Sequence, residues 1–389
     1  MARCPPRGRL NAFGQPGSTE CRLPTLIRMS LIAPTANPLL EQALLAKLRR
    51  REGSPGGMGE LEPVAVRLGL LQHSLKPRFR EPQLVIFAAD HGLAVDGIHA
   101  PVGQQTEDLV QQVLAGQQPV AVFARQLGLT LSMVDCGVAF QLPAHERLIQ
   151  RKIAHGTRNA RVGNAMSLEQ AHAAIRAGME IGDTLRGNLM ACAGMGVGSH
   201  ESAALVLARL TDTPVRELMV SGPAMNPDLL AHLMIVVQGA QGRHREVADA
   251  VEVLAAFGGF ETAMMVGAML VAASKRHLIM VDGIAACAAL MVASRIAESV
   301  TDYCVFCRSQ THQGLDRALA LFHASALLEL GLDATDGTGA CLSWPLVNSA
   351  AALVTELGDD DGHSQPAGID PPVIQSLYDP SDPTVPGLP

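Results

Sequence analysis

The stretch Gln83-Leu84-Val85-Ile86-Phe87-Ala88-Ala89-Asp90-His91-Gly92 decides the fold. A nearly unbroken apolar run stops abruptly at an acid, an imidazole and a glycine. Runs of this kind are strands buried on both faces, as in a parallel sheet covered by helices. Working outward, the same alternation continues. Strands are expected at 129–135, 188–193, 217–220, 277–281 and 302–306. Helices are expected at 106–127, 168–186, 201–210, 263–274 and 285–298, with a capped amphipathic helix from Asn37 to Lys47-Leu48. Strand–helix repetition on this scale predicts an α/β fold, a parallel Rossmann-like sheet flanked by helices.

The chain has 389 residues, 48% of them hydrophobic and 17% charged, which is enough apolar material for a large core and excludes disorder over most of the length. Aromatics are only 3%, so alanine, methionine and glycine build the core, and platforms for stacking single-stranded nucleic acid are not expected. The net charge of -7 is uneven: residues 1–28 carry +4 and residues 359–389 carry -6. The head is rich in Pro, Gly and Arg and reads as a disordered or mis-started extension, with Met29 the favoured start. The tail reads as disordered and acidic. No uncharged apolar span is long enough to cross a membrane. A soluble, cytoplasmic protein that binds neither nucleic acid nor membrane is the expectation.

Eight cysteines in a chain of this length do not form a disulfide scaffold. Cys136, Cys192, Cys287 and Cys341 stand singly among small apolar residues and read as buried thiols. Cys304 and Cys307 form one CxxC inside a strand pattern, with no second ligand pair for zinc. No metal is expected.

Ligands of open parallel sheets bind at the carboxyl ends of the strands. Glycine-rich or polar breaks fall at those ends: Asp90-His91-Gly92, Asp135-Cys136-Gly137, Gly194 to His200, Ser221-Gly222-Pro223, Asp282-Gly283 and, further on, Asp336-Gly337-Thr338-Gly339. Each alone reads first as a turn. Together they predict a cleft. The segment Gly194-Met195-Gly196-Val197-Gly198-Ser199-His200 is the best candidate for holding a phosphate at a helix N-terminus. It is neither a P-loop nor GxGxxG, and the missing GxGxxG after the first strand also speaks against a dinucleotide enzyme.

Further pieces appear in order: Pro55-Gly56-Gly57-Met58-Gly59-Glu60-Leu61-Glu62, Phe87 to Gly92, Val134-Asp135-Cys136-Gly137-Val138, Gly156-Thr157-Arg158-Asn159, Phe257-Gly258-Gly259-Phe260-Glu261, Val281-Asp282-Gly283-Ile284 and Asp336-Gly337-Thr338-Gly339-Ala340. From about residue 36 to 357 this series resembles the nicotinate-nucleotide:dimethylbenzimidazole phosphoribosyltransferases of cobalamin lower-ligand synthesis. The resemblance implies a large α/β domain (83–310), a small helical domain built from both chain ends (29–82 and 311–358) and a homodimer. It implies transfer of phosphoribose from nicotinate mononucleotide to a benzimidazole-type base, with no cofactor. Carried over, Asp336 is the catalytic base. Asp90, His91, Gly92, Gly194, Gly196, Gly198, Ser199, Glu201, Gly222, Arg308, Ser309, Gly337, Thr338 and Gly339 bind substrate.

Several charged positions depart from the family pattern. Asp336 stands where the family has Glu, Gly194 where it has a second Glu, and Leu233, beside His232, where it has a phosphate-binding Lys. Cys307-Arg308-Ser309 replaces a Ser-His start, and Arg308 offers a planar fork suited to phosphate. Glu201 is a candidate replacement carboxylate. Two readings therefore stand: an active transferase, for dimethylbenzimidazole or another azole or phenol base, and a catalytically weak paralogue that binds nucleotide or serves as a partner subunit.

Overall fold

The computed structural model describes residues 32–49, 57–98, 105–219, 226–309, 314–332 and 334–356. The expected head, the acidic tail, Met29 and Gly222 lie outside them. In chain order the elements are α1 (Pro38–Arg49), α2 (Leu61–Gln72), β1 (Gln83–Ala89), α3 (Thr106–Leu114), α4 (Pro119–Gln126), β2 (Thr130–Gly137), β3 (Leu148–Gln150), α5 (Leu168–Thr184), β4 (Leu189–Met195), α6 (Ser199–Thr211), α7 (Val215–Met219), α8 (Pro227–Arg243), α9 (Ala250–Phe257), α10 (Phe260–Ser274), β5 (Leu278–Val281), α11 (Ile284–Ile296), β6 (Cys304–Phe306), α12 (Leu315–Ala320) and α13 (Thr338–Glu356).

The described strands form one six-stranded sheet in the order β3-β2-β1-β4-β5-β6. Every neighbouring pair is parallel. The apolar run of β1 lies at the centre, between β2 and β4, and Leu84 to Ala89 are fully buried. The chain builds outward from β1 through β2 to β3, then crosses back to β4 and builds the other way. The switch point is therefore the gap between the carboxyl ends of β1 and β4.

The small-residue core has a direct packing consequence. A Cβ at Gly178 of α5 would fall 1.9 Å from the Met264 carbonyl oxygen of α10, and one at Gly267 of α10 would fall 1.9 Å from the Ile175 carbonyl oxygen of α5. Each helix lays its backbone onto the other's glycine. Gly178→Ala should therefore destabilise by about 1–3 kcal/mol, the usual cost of overpacking, read from the midpoint of a urea titration. A change below about 0.5 kcal/mol, the size of an ordinary surface substitution, would show that the helices separate freely.

Helices from both chain ends pack together. Thr355 of α13 donates its hydroxyl to the Pro77 carbonyl at 2.8 Å, and Trp344 meets Phe79 edge-to-face at 6.1 Å.

Two expected elements are corrected. The strand expected at 217–220 is, over its described residues 217–219, part of helix α7, because Val215, Leu218 and Met219 bury at spacings of three and four, a helical rather than an alternating stripe. The 106–127 helix is two helices, since Pro119 cannot donate into a continuing helix and instead opens α4. The Ser221-Gly222-Pro223 break lies outside the described residues.

Among the described residues no helix is long and apolar enough to cross a membrane, and no group of His, Cys, Asp or Glu is placed to hold a metal ion. The described cysteines are free and buried, and burial pushes the Cys304 and Cys307 thiols up, away from the reactive thiolate.

Candidate active site

Asp90 ties together the loops after three strands. Its Oδ1 accepts the Thr106 hydroxyl at 2.5 Å, and its Oδ2 accepts the Ala139 amide, after β2, at 2.7 Å. Thr106 in turn accepts the Val197 amide, after β4, at 3.0 Å. Gly92 donates its amide to the Thr157 hydroxyl at 3.1 Å, which brings the 156–159 segment to the same edge. Lys152 pairs with Asp135 at 3.2 Å and donates to the Phe140 carbonyl at 2.7 Å, so its charge is engaged in holding the loop after β2.

The Gly194–His200 turn lies on the end of β1. A Cβ at Gly196 would collide with the Ala89 carbonyl, 1.7 Å away, so only glycine allows that approach. Helix α6 begins at Ser199 and carries Glu201, buried, in its first turn. Gly194 itself lies inside β4. A Cβ there would sit 2.6 Å from the Ala285 Cβ, so this backbone has no room for a carboxylate at position 194. The Cγ of Glu261 lies 3.8 Å from that same point.

Glu261, in the first turn of α10, is fully buried. Its Oε1 accepts the His91 imidazole at 3.0 Å, the Ser199 hydroxyl at 3.0 Å and the Thr262 hydroxyl at 3.1 Å, while Oε2 has no partner among the described residues. Burial alone would push Glu261 up and His91 down. Their mutual attraction and hydrogen bond outweigh it, so Glu261 is held below the usual carboxylate range and His91 above the usual imidazole range. The pair is ionic, set at the switch point.

A second cluster lies at the ends of β5 and β6. Asp282 is fully buried and accepts the amides of Gly337 and Ala340 on Oδ2, at 2.7 and 3.0 Å. These are free amides of the first turn of α13, where a carboxylate is favoured. Its Oδ1 accepts Arg308 Nε at 2.8 Å. Arg308 Nη2 reaches Asp336 Oδ1 at 2.6 Å. The Asp336 side chain remains 24% exposed. Burial, reinforced by repulsion from Asp282 and opposed by Arg308, pushes its carboxyl up to about 7. Gly283 makes the space for it: its φ is +94°, and a Cβ there would lie 2.0 Å from Asp336 Oδ2. Thr338 donates its hydroxyl to the Thr335 carbonyl at 2.7 Å, shaping the turn before α13. Ser309 donates its amide to the Leu328 carbonyl at 3.1 Å. A Cβ at Gly339 would meet the Arg308 stem at 2.6 Å, so glycine there lets the arginine pass.

The sheet thus gathers Asp90, His91, Gly92, Gly196, Gly198, Ser199 and Glu201 at its centre, and Arg308, Ser309, Asp336, Gly337, Thr338 and Gly339 beside β5 and β6. Leu233 is buried as an ordinary apolar residue of α8, and the exposed His232 donates from Nε2 to the Asp96 carbonyl, 2.7 Å away. Glu261 and Asp282 are not among the expected site residues. Each carries a signal: Glu261 is the sole charge in the long apolar helix Phe260–Ser274, and Asp282 is a charge placed at the end of the apolar strand Leu278–Val281.

An all-parallel sheet with an ion pair at its switch point, and a carboxyl balanced near neutrality on the same edge, is an α/β protein with the groups of a candidate acid–base site gathered at its strand ends. A family model described as phosphoribosyltransferase matches residues 33–361. The chain is 40% identical over 332 residues to the nicotinate-nucleotide–dimethylbenzimidazole phosphoribosyltransferase of Cupriavidus taiwanensis, covering 85% of this chain and 96% of that one. It is 40% identical to the protein of the same name from Dechloromonas aromatica, covering 82% and 93%. The solved structure of the Thermus thermophilus protein of that name aligns with a TM-score of 0.75 at 29% identity, over 82% of this chain and 96% of that one. The chain belongs to the nicotinate-nucleotide–dimethylbenzimidazole phosphoribosyltransferase family.

Proposed function

We propose that this chain transfers the phosphoribosyl group of nicotinate mononucleotide to 5,6-dimethylbenzimidazole, forming α-ribazole 5′-phosphate and nicotinate. The observation that carries the reading is Asp336, a partly exposed acidic side chain held by Arg308 just before α13, with its carboxyl pushed up to about 7. One imidazole nitrogen attacks the anomeric carbon. The glycosidic bond breaks with inversion, and nicotinate leaves with that bond's electron pair, discharging its cationic ring nitrogen. The proton on the other imidazole nitrogen passes to Asp336. A base matched to the working pH is the efficient choice.

The nucleotide phosphate is assigned to the N-terminal end of α6, which carries no side-chain cap. With Leu233 buried in α8, no lysine at that position contributes charge. An ionisable Asp336 held by Arg308 favours the active transferase over a catalytically weak paralogue. The homodimeric state and cytoplasmic location belong to the same reading and rest on the family resemblance.

Because Asp336 must be ionised to accept the proton, kcat/KM should fall about tenfold per pH unit below an acid limb near 7. Following α-ribazole phosphate formation between about pH 5 and 9 checks this. An acid limb near the ordinary carboxylate range, about 4, would exclude Asp336 as the base.

A further inference from the structure

Arg308 is 2% exposed, yet it stands at the site edge immediately beyond β6. Its guanidinium holds Asp282 at 2.8 Å, Asp336 at 2.6 Å, the Leu332 carbonyl at 2.9 Å and the Ala334 carbonyl at 3.0 Å. Three of those contacts fall on the segment that carries Asp336 into α13. Asp282 grips the next residues through the Gly337 and Ala340 amides. The base is therefore suspended between one arginine and one buried carboxylate.

We propose that Arg308 is the positioning residue of Asp336, fixing where that carboxylate stands and how readily it is charged, and that it does not hold the substrate phosphate. The proposal rests on the reading of Asp336 as the base. A phosphate bound by Arg308 would have to displace two charge-assisted bonds and would face two carboxylates at once. As a clamp, the same fork is fully used: its planar donors meet two carboxylates and two carbonyls, which an ammonium cannot do. Charge counting points the same way. Arg308 brings one positive charge to two carboxylates. Asp282 has two backbone amides besides, so its carboxylate is stabilised independently. Asp336 has Arg308 alone among the described partners, so it is the member whose ionisation the arginine controls. The other titratable groups near the pair are the Cys287 thiol on α11, facing Asp336, and the Cys307 and Cys341 thiols, facing Asp282, all three pushed up by burial and neutral at working pH.

The test compares the intact protein with R308K, R308Q and D336N, measuring kcat, KM for nicotinate mononucleotide and the pH profile of kcat/KM. In R308Q the loss of the positive charge should move the acid limb up by about one unit or more, since an adjacent opposite charge holds a carboxyl down by about that much. Its kcat should fall roughly 100-fold, the cost of displacing a reacting group by about 1 Å. R308K keeps the charge and loses the fork, so the limb should stay while kcat falls about tenfold or more. In both, KM should stay within about threefold of the parent, because no substrate contact is lost. A KM raised more than about tenfold with kcat preserved would make Arg308 a phosphate ligand and overturn the proposal. An unmoved limb with near-normal kcat in R308Q would overturn it as well, leaving Arg308 a packing residue. If R308Q does not fold, as read by circular dichroism, R308K decides by its kcat-against-KM split. Full activity of D336N would instead remove the base reading, and that outcome is visible without any Arg308 variant.

Discussion

Replacing Asp336 by Asn should lower kcat by about 100- to 10,000-fold while leaving KM for nicotinate mononucleotide nearly unchanged. The substitution is nearly isosteric. D336N keeps a carbonyl oxygen for the Arg308 bond seen at 2.6 Å and removes the capacity to take a proton. The leaving group is already activated by its cationic nitrogen, so the reaction is not abolished. What is lost is the removal of the benzimidazole proton as the new bond forms. The residual rate should also lose its acid limb near 7, because the group responsible no longer titrates. Activity within about tenfold of the parent, with the limb intact, would assign proton removal to another group. His91 is the nearest in kind, but it is held protonated by Glu261 and is a poor acceptor.

The parallel sheet was legible because its signal is local. The apolar run of β1 and the acid-glycine breaks at Asp90, Asp135 and Asp282 can be read from a few adjacent residues, and they fall at strand ends as expected. Legibility failed where the signal was short: over 215–219 a few apolar residues suit a strand or one helical turn, and burial of Val215, Leu218 and Met219 decided for the helix. The glycines and the acid of the candidate site stood out in the sequence as breaks after apolar runs, but their pairings did not. Glu261 finds His91 across 170 positions, and Arg308 finds Asp336 across 28, distances over which a single sequence carries no contact information. The packing of Arg308 behind Asp336 is likewise a property of the folded edge, set by Gly283 and Gly339 leaving room on either side.

Glu261→Gln should give the largest loss of stability and should do so in a pH-dependent way. The buried pair of Glu261 and His91 contributes fully where both groups are charged in the unfolded chain, between about pH 4.5 and 6.5. Below that window the depressed Glu261 loses its contribution as pH falls through its folded pKa. Above it the raised His91 loses its contribution as pH rises through its own. In the Gln variant burial, the largest influence on His91, is opposed only by Asp90 and Glu201, so the folded protein should prefer the neutral imidazole and acid should favour unfolding. Removing one partner of a buried ion pair costs about 3–5 kcal/mol. The loss should approach about 3 kcal/mol near pH 5.5 and shrink by about 1 kcal/mol or more near pH 8, where His91 is neutral in the unfolded chain and in the variant. Urea titrations of both proteins at the two pH values measure this. An equal loss at both would mean that His91 is neutral beside Glu261, and that the contact at the switch point is an ordinary hydrogen bond rather than an ion pair.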